Sequence, residues 1–477
     1  MARDGATAAP LLLPLAAAAV PEDTPRRKNR FAFLCATLAS MTTILMGYNL
    51  AVMSGAQLFM RDDLGLSGVQ IEVLTGSMNL FMLVSVLTAG WVADAMGRRG
   101  TLVLANAFLM AGALAMSLGG SYAALVAARF VTSIGAGFAR VVAPVYNAEI
   151  SPASTRGVLS SLLDMFINVG VLLSYVSNYV FAGLPAHLGW RVMFAAGALP
   201  PAFLAAGVLA MPESPRWLVM RGRHGEAHNV LVRTSDNPAE ADLRLEEIKQ
   251  AVSFSSAATQ GGVWKEMLVR PTKGVRRVLI CVLGLQFFQQ ASGLDAIVLY
   301  CPLVFKHAGM SSNAAVLGAT VAVGVVKTCF ILVATLLSDR VGRRPLLLAS
   351  TAGVAAALAA VSLTLCVDAA SPAACVASVL AFVAAFSVGF GPVVPTYSSE
   401  IMPLRLRAQG TSLGTAVNRI TCALVTMTFI SLADWITMPG CFFLYASVAA
   451  AACAFVYVQL PETSGRSLED MDVLFSK

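Results

Sequence analysis

Residues 284–302, GLQFFQQASGLDAIVLYCP, place three glutamines, a Ser-Gly step and an aspartate in a segment otherwise apolar enough to lie in lipid. On a helix, Gln286, Gln290 and Gly293 fall on one line, with Gln289 beside it. A bare amide in hydrocarbon costs several kcal/mol, so this stripe needs water, a polar ligand or neighbouring helices. We interpret it as a binding stripe, with hydrogen bonding between helices as the alternative.

The aspartate of this stretch, Asp295, points away from the stripe if the helix is unbroken. Ser292 and Gly293 are a plausible break that turns Asp295 inward. Discontinuous helices at membrane depth are typical of the substrate sites of transporters. The stretch therefore predicts a broken membrane helix beside a polar site.

The composition of the whole chain agrees with a membrane protein. It is 57% hydrophobic and 12% charged, with a mean hydropathy of +0.74, whereas soluble folds carry about 25% charge. The net charge of +7 does not indicate nucleic-acid binding, because the basic residues lie mainly in short connections between apolar segments. The nine cysteines lack metal-like spacing, and Cys366 and Cys375, which bracket a short loop, are candidates for a disulfide.

Twelve apolar segments have the length of about 20 residues that a bilayer requires. They predict an all-α membrane protein with an N-terminal half over 31–211 and a C-terminal half over 274–460, each of six helices. Residues 212–273 are predicted to be a cytosolic linker with short helices, residues 1–30 a disordered cytosolic tail, and residues 461–477 a second cytosolic tail. The expected spans are 31–54, 72–95, 100–119, 122–147, 157–181, 190–211, 274–307, 313–338, 345–366, 374–402, 408–433 and 439–460.

The distribution of Lys and Arg fixes the expected orientation. Of 33 basic residues, three fall in outer loops in this topology, Arg61, Arg191 and Lys306, and four lie within spans. The remaining basic residues are in the tails, the linker and the connections on the same side. The positive-inside rule then places both termini in the cytosol.

Three motifs occur twice at nearly one offset, which predicts two pseudo-repeats of six helices. Asp94-x-x-Gly97-Arg98-Arg99 recurs at 339–344, Glu149-Ile150-x-Pro152 at 400–403, and Pro212-Glu213-Ser214 at 461–463. All copies lie at predicted cytosolic helix ends.

The carboxylates and arginines of these motifs are suited to ion pairs that form and break as the two halves move relative to each other. The guanidinium group of arginine binds a carboxylate with two hydrogen bonds and stays charged. The alternative is that they only set topology and cap helices. The predicted cytosolic gate comprises Asp94, Arg98, Arg99, Glu149, Arg156, Asp339, Arg343, Arg344, Glu400 and Arg405.

Seven motifs, in order along nearly the whole chain, resemble the sugar porter family of the major facilitator superfamily. They are GWVADAMGRR, YNAEISPASTRG, PESPRW, FFQQASGLD, LSDRVGRRPLL, SSEIMPLRLRAQG and PETSGRSLEDM. DMFINVGVLLSYVSNYVF, AVGVVKT and PLRLRAQG are most similar to its plant polyol/monosaccharide branch. The resemblance implies twelve helices, alternating access, a central site for hydroxyl-rich substrates and often proton symport.

The predicted substrate site combines both halves. In the fifth span, Ser160, Asp164, Asn168, Val171, Tyr175 and Asn178 fall on one helical face. The resemblance places substrate contacts at Asp164, Gln289, Gln290, Asp295 and Asn418. Asn168 and Asn178 are interpreted as hydrogen-bond partners between helices.

Position 49 departs from the family pattern. Proton-coupled relatives carry aspartate where this chain has Asn49, with an arginine partner matched here by Arg129. Asparagine has no titratable proton, so this position does not serve as a coupling site.

Arg140 and Pro395 also depart from the pattern, which usually has an uncharged residue and often a tryptophan there. A charge in the membrane costs about 3 kcal/mol or more, so Arg140 needs a wet cavity or a partner, for which Asp164 and Asp295 are the candidates. Proline at 395 removes an aromatic surface for a sugar ring. Lys327 and Arg419, the other charges within spans, are interpreted as structural.

These observations predict a carrier of polyols or monosaccharides that is embedded in a plant lipid bilayer. The plasma membrane is favoured over the vacuolar membrane. Proton symport is implied by the family, whereas Asn49 favours a proton-independent facilitator, and a non-transporting sugar sensor is a further alternative. No cofactor is expected besides a coupling proton, the oligomeric state is left open, and the four histidines lie in loops or at span ends without a catalytic constellation.

Overall fold

Twelve membrane spans in two halves form the protein, as the sequence predicts. The computed structural model describes residues 30–151, 156–235, 237–257, 267, 269, 271–367, 371–402 and 406–462, and in this part of the chain twelve helical segments are long and apolar enough to cross a membrane. The structure does not describe the side chains of residues 156–162, 254–257, 335, 336, 338–340, 407 and 408. The predicted tails lie almost entirely outside the described residues.

In the described residues, the first six spans and the linker contain ten helices. The sixth span is divided between α6 and α7, and the linker helices are α8, α9 and α10. Their bounds are α1 Arg30–Leu64, α2 Gly68–Met96, α3 Arg98–Leu118, α4 Tyr122–Ile150, α5 Arg156–Phe181, α6 Ala186–Ala196, α7 Leu199–Leu209, α8 Pro215–Met220, α9 His224–Thr234 and α10 Pro238–Ala257.

The second six spans repeat the arrangement. The seventh span is divided between α11 and α12, and the tenth is α15, a five-residue π-helix at Phe386–Phe390, and α16. The bounds are α11 Lys273–Ala291, α12 Leu294–His307, α13 Asn313–Val341, α14 Arg343–Cys366, α15 Pro372–Ala385, α16 Gly391–Ile401, α17 Arg407–Ile436 and α18 Met438–Gln459.

The duplicated motifs form equivalent turns on one face of the bundle, which we call the linker face because α8–α10 lie there; the opposite face is the distal face. Gly97 and Gly342 have φ of +88° and +95°, a conformation that glycine adopts without strain, and they precede α3 and α14. Glu213 accepts bonds from the backbone N–H groups of Arg98 (2.9 Å) and Arg99 (3.0 Å). A carboxylate at a helix N-terminus is stabilised by the helix dipole.

The C-terminal half has the same arrangement. Glu462 accepts bonds from the backbone N–H groups of Arg343 and Arg344, each at 3.0 Å. The Pro-Glu motifs at 212–214 and 461–463 thus bring one glutamate to equivalent helix starts, so the pseudo-repeat predicted from the sequence is confirmed.

The linker helices pack on the N-terminal half. Apolar residues of α9 and α10, among them Leu231 and Leu245, share a buried cluster with α1, α3 and α4. Arg221 Nη2 donates to the carbonyl of Ala95 (2.7 Å) at the end of α2, and Arg244 Nη2 donates to that of Ser151 (3.2 Å) after α4. Basic side chains at helix C-termini satisfy carbonyls that have no partner within the helix.

Two glycines allow α1 and α5 to cross closely. A Cβ atom on Gly47 would collide with the carbonyl oxygen of Ile167, and one on Gly170 would collide with that of Ile44. Small residues at such crossings are typical of membrane helix packing, where close backbone approach replaces the hydrophobic effect.

The two halves meet at the distal face, where α1 packs on α12, α2 on α17 and α5 on α13. Tyr175 donates its hydroxyl to the carbonyl of Val298 at 2.8 Å, across the halves. That carbonyl lacks a helical partner because Pro302, four residues later, has no N–H. Gln57 Nε2 donates to the carbonyl of Leu299 at 2.8 Å.

A buried carboxylate strengthens the same contact. Glu72 of α2 is 1% exposed and accepts bonds from the backbone N–H (2.7 Å) and the hydroxyl of Ser431 in α17. Hydrogen bonds to charged groups contribute about 1.5–3 kcal/mol. Glu72 therefore holds the two halves together at the distal face.

All nine cysteines are free thiols in the structure. Cys366 is exposed, whereas Cys375 is buried within α15. The disulfide considered between them is not formed.

Candidate substrate site

A cavity of about 230 Å³ lies between the halves, near the middle of the spans. Methionines and Leu50 of α1 and α2 form one apolar part of its wall, further apolar residues come from both halves, and polar side chains from both halves complete the lining. The five predicted substrate residues all line it. Its polar and charged lining residues are Arg140, Asp164, Asn168, Gln286, Gln289, Gln290, Asp295, Lys327, Ser387, Thr415, Asn418 and Arg419.

The predicted break in the seventh span is confirmed. Gly293 has φ of +85° and separates α11 from α12, so Asp295 lies in the first turn of α12 and lines the cavity. The thiol of Cys422 in α17 donates to Asp295 Oδ2 at 2.8 Å. Without the left-handed glycine, the helical period would direct this carboxylate away from the glutamines.

Gln289 connects the broken span to the tenth span. Its Nε2 donates to the carbonyls of Phe390 and Gly391, each at 2.9 Å, and its Oε1 accepts from Asn418 Nδ2 at 2.8 Å. The Gly391 carbonyl has no helical donor, because Pro395 four residues later lacks an N–H. Pro395 also lines the cavity. It stands where the family pattern often has a tryptophan, and it leaves free the Gly391 carbonyl that orients Gln289.

Asn418 is the centre of the amide network. Its Oδ1 accepts from Gln290 Nε2 (3.3 Å) and from Arg419 Nε (3.1 Å) and Nη2 (2.6 Å). Gln290 Oε1 is buried and has no hydrogen-bond donor among the described residues. A ligand hydroxyl is a donor that satisfies such an oxygen.

The predicted polar face of α5 is divided between two environments. Asp164, Asn168 and Val171 line the cavity, whereas Tyr175 and Asn178 lie nearer the distal face. Asn178 Nδ2 donates to a carbonyl of α1 at 3.2 Å, as the prediction of a bond between helices requires. For Asn168 that prediction is wrong, since its Nδ2 donates within α5 to the Asp164 carbonyl at 2.7 Å.

Asn49 and Arg129 lie beside the cavity rather than in its lining. Arg129 is completely buried; its Nη1 donates to the backbone carbonyl of Asn49 (2.9 Å) and its Nε donates to that of Leu74 (3.3 Å). Its Nη2 has no acceptor in the part of the chain that the structure describes. The Asn49 side chain donates within α1, to the Leu45 carbonyl at 2.9 Å. The Arg129 guanidinium thus binds the backbone at position 49, where the side chain is an amide and not an acid.

Arg140 reaches the cavity wall but forms no ion pair there. Within the described residues it makes no hydrogen bond and no ion pair within 4 Å, although Asp164, Asp295 and Arg419 all act on it electrostatically. Of the two environments predicted for Arg140, the structure therefore shows the cavity and not the carboxylate partner. Lys327 and Arg419 also line the cavity, and their interpretation as structural stays a prediction.

The predicted gate residues pair within each half. Arg98 contacts Asp94 (2.9 Å) and Glu149 (3.0 Å), and Arg343 contacts Glu400 (3.2 Å). Arg99 and Arg344 donate to backbone carbonyls, of Met211 (3.1 Å) and Tyr457 (2.8 Å) respectively. The side chains of Arg156, Asp339 and Arg405 lie outside the described residues.

Sequence reasoning missed Glu72, although an acid within an apolar span is a functional signal by itself. Glu72→Gln is expected to open the distal face more often, because glutamine is neutral and its amide nitrogen cannot accept the bond that one carboxylate oxygen accepts from Ser431. A cysteine introduced at Met427, which packs on Gly76 between the halves, then reacts about tenfold faster with an impermeant thiol reagent added on the distal side.

The labelling is measured in a background without the more accessible native cysteines, Cys329, Cys366 and Cys453. Glu226→Gln is the control, because Glu226 forms an exposed ion pair in the linker, remote from this contact. Equal labelling rates in both variants would show that Glu72 does not hold the distal face closed.

Two six-helix repeats that meet at one face and enclose a polar cavity define a membrane carrier of the major facilitator class. A broken helix and hydrogen-bonding side chains from both halves are typical of the substrate sites of such carriers. The family model described as "Sugar (and other) transporter" matches residues 35–475. The chain belongs to the sugar transporter family, and the prediction of a transporter rather than an enzyme is confirmed.

Relatives extend this match over nearly the whole chain. Polyol transporter 5 of Arabidopsis thaliana is 50% identical over 480 residues, with coverage of 96% of this chain and 89% of the relative. Putative polyol transporter 1 of the same plant is 51% identical over 478 residues, with coverage of 96% and 94%.

Solved structures of the xylose transporter XylE from E. coli have the same fold. The partially occluded inward-open conformation is 25% identical with a TM-score of 0.79, covering 92% of this chain and all of that one. The proton:xylose symporter bound to 6-bromo-6-deoxy-D-glucose is 26% identical with a TM-score of 0.76, covering 94% and 100%.

Proposed function

We propose that the chain carries polyols, and with them monosaccharides of similar size, across a plant membrane by alternating access. The observation that carries this proposal is the amide network of Gln289, Gln290 and Asn418 on the cavity wall. Amides both donate and accept, so they match hydroxyl groups that do the same. The names of the Arabidopsis relatives support polyols as the substrate class.

The linker face and both termini are proposed to be cytosolic, because the connections on this side carry the excess of Lys and Arg. The distal face, closed by Glu72 and Ser431, is then the outer face. In this orientation the contacts of the distal face close the outer side of the cavity. We also propose the plasma membrane as its location, and imaging of a fluorescent fusion tests this.

In the proposed cycle, substrate hydroxyls satisfy polar groups of both halves at once. In the C-terminal half, Gln290 Oε1 accepts a hydrogen bond from a substrate hydroxyl. In the N-terminal half, Asp164 and Asn168 line the cavity. Binding favours the closed arrangement of the halves, because the substrate bridges them. Opening to the outside then requires that the bonds of Gln57, Glu72 and Tyr175 break.

Energy coupling has two candidates. The family resemblance favours proton symport, whereas the geometry at position 49 favours a proton-independent facilitator. Arg129 binds the backbone carbonyl of Asn49, and the Asn49 side chain carries no titratable proton. A symporter with this sequence must take its proton at another acid, for which Asp164 is the candidate in the cavity.

Asn49→Asp is expected to make uptake depend on pH. A carboxylate beside the unpaired Nη2 of Arg129 gains a charge partner that it can exchange for a proton as the helices move. Uptake by this variant is expected to rise as the external solution becomes more acidic. Asn49→Gln is the control without a titratable group, and identical pH profiles of the two variants would contradict the expectation.

The proposed function is tested by uptake of labelled sorbitol, mannitol, inositol, glucose and xylose into transporter-deficient cells. Each compound is measured at acidic and neutral external pH, with and without a protonophore. Accumulation that the protonophore abolishes assigns symport, and uptake that stops at equilibrium assigns a facilitator. Binding of a polyol without uptake would overturn transport in favour of a sensor.

A further inference from the structure

Charged side chains line the cavity in unequal numbers. Among the described residues, the cations are Arg140, Lys327 and Arg419, and the carboxylates are Asp164 and Asp295. The formal balance of the lining is therefore one positive charge in excess. A neutral polyol solvates such a charge through its hydroxyls but does not neutralise it.

Two of these cations come from opposite halves of the protein. Arg140 lies on α4 of the N-terminal half and Arg419 on α17 of the C-terminal half, and both line the same cavity. Like charges across an interface repel, most strongly where water is scarce. An anion between the two guanidinium groups would convert this repulsion into attraction and draw the halves together.

The acids of the cavity do not remove the excess charge. Neither Asp164 nor Asp295 has a Lys or Arg nitrogen within 4 Å among the described residues, and Asp295 accepts a hydrogen bond from the thiol of Cys422. Arg419 is held by neutral amide oxygens, those of Asn418 (2.6 Å) and Asn79 (3.3 Å), which leave its charge in place.

Arg140 has its full donor capacity available to a ligand. It makes no hydrogen bond with a described residue, while its guanidinium carries five N–H donors in a planar fork. This fork matches a carboxylate in a bidentate arrangement. A cation within a span that has no ion pair is costly, so a site that keeps one gains from a charged ligand.

We propose that this cavity selects anionic polyhydroxy compounds, sugar acids whose carboxylate binds between Arg140 and Arg419 while their hydroxyls bind the amide network. This inference rests on the proposed carrier function and specifies its substrate class. The carboxylate end lies beside both halves, and the hydroxyl chain lies along Gln289, Gln290 and Asn418 of the C-terminal half. Transport and charge recognition thus use one cavity.

The test compares sorbitol with D-gluconate, which has the same carbon chain with a carboxylate at one end. Uptake of both labelled compounds is measured in proteoliposomes that contain the full-length protein. We expect gluconate to be taken up at least about tenfold faster than sorbitol, because its carboxylate adds a charge-assisted bidentate contact. Sorbitol uptake without gluconate uptake overturns the proposal and keeps the carrier function, whereas uptake of neither compound overturns the carrier function as well.

Variants at Arg140 separate the role of its charge from a role in folding. Arg140→Gln is expected to lower the ratio of gluconate to sorbitol uptake at least about tenfold, and Arg140→Lys to retain part of it. Arg61→Gln, at an exposed arginine on the distal face, is the matched control and leaves the ratio unchanged. An unchanged ratio in a folded Arg140→Gln protein overturns the proposal.

Inorganic anions provide the last comparison. The same uptake is measured with chloride or phosphate as the only small anion of the buffer. Gluconate uptake that neither ion abolishes supports the sugar-acid site. Sorbitol uptake that requires one of these ions, with no gluconate uptake, assigns the excess charge to an inorganic anion and overturns the proposal.

Discussion

Asn418→Ala is expected to lower the initial rate of uptake about a hundredfold, because this side chain supports three polar neighbours of the cavity. It donates to Gln289 (2.8 Å) and accepts from Gln290 (3.3 Å) and Arg419 (2.6 Å). A buried hydrogen bond to a charged group contributes about 1.5–3 kcal/mol, and each 1.4 kcal/mol is about tenfold. The measurement is the initial uptake of labelled substrate per amount of protein in the membrane.

Asn106→Ala is the matched control for Asn418→Ala. Asn106 is equally buried and bonds Thr42 of another helix at 3.2 Å, but it does not line the cavity. Its loss costs stability without removing a ligand contact. Uptake at the wild-type rate by folded Asn418→Ala would show that the amide network does not hold the substrate.

Gly47→Ala is expected to destabilise the whole bundle, because the added methyl group collides with the backbone carbonyl of Ile167. A backbone atom cannot move aside as a flexible side chain does, so α1 and α5 must separate along their crossing. Overpacking of this kind typically costs about 1–3 kcal/mol. The melting temperature of the purified protein in detergent is therefore expected to fall by several degrees.

Gly90→Ala provides the comparison for Gly47→Ala. Gly90 is also within a helix, but a Cβ atom there meets nothing within 4 Å. Alanine is better suited to a helix than glycine by about 1 kcal/mol, so this variant is expected to be at least as stable as the native protein. Equal melting temperatures of the two variants would contradict the close crossing of α1 and α5.

The fold was predictable from the sequence for three physical reasons. The bilayer requires apolar runs of about twenty residues, which fixes the number of spans. Motifs that recur in the same order identify the two halves, and Gly293 marks the break because glycine adopts a left-handed conformation at little cost. The helical period then predicted that the glutamines of the broken span share one face.

The candidate site was predictable in its members but not in its contacts. Asp164, Gln289, Gln290, Asp295 and Asn418 do line one cavity. The acceptors of Gln289, however, are carbonyls about one hundred residues away, which are available because of a π-helix and a missing N–H at Pro395. Contact of these residues with a ligand remains a prediction.

The sequence by itself determined the spans, the two halves, the broken helix and the residues that face the polar interior, since these follow from length, repetition and helical period. Only the tertiary structure decided the partners: Glu72 with Ser431, Asn418 with Arg419, and Arg140 with none among the described residues. Lipid and the protein interior are both apolar, so hydrophobicity does not specify which helices meet. Packing of the whole bundle decides where each polar side chain finds its partner.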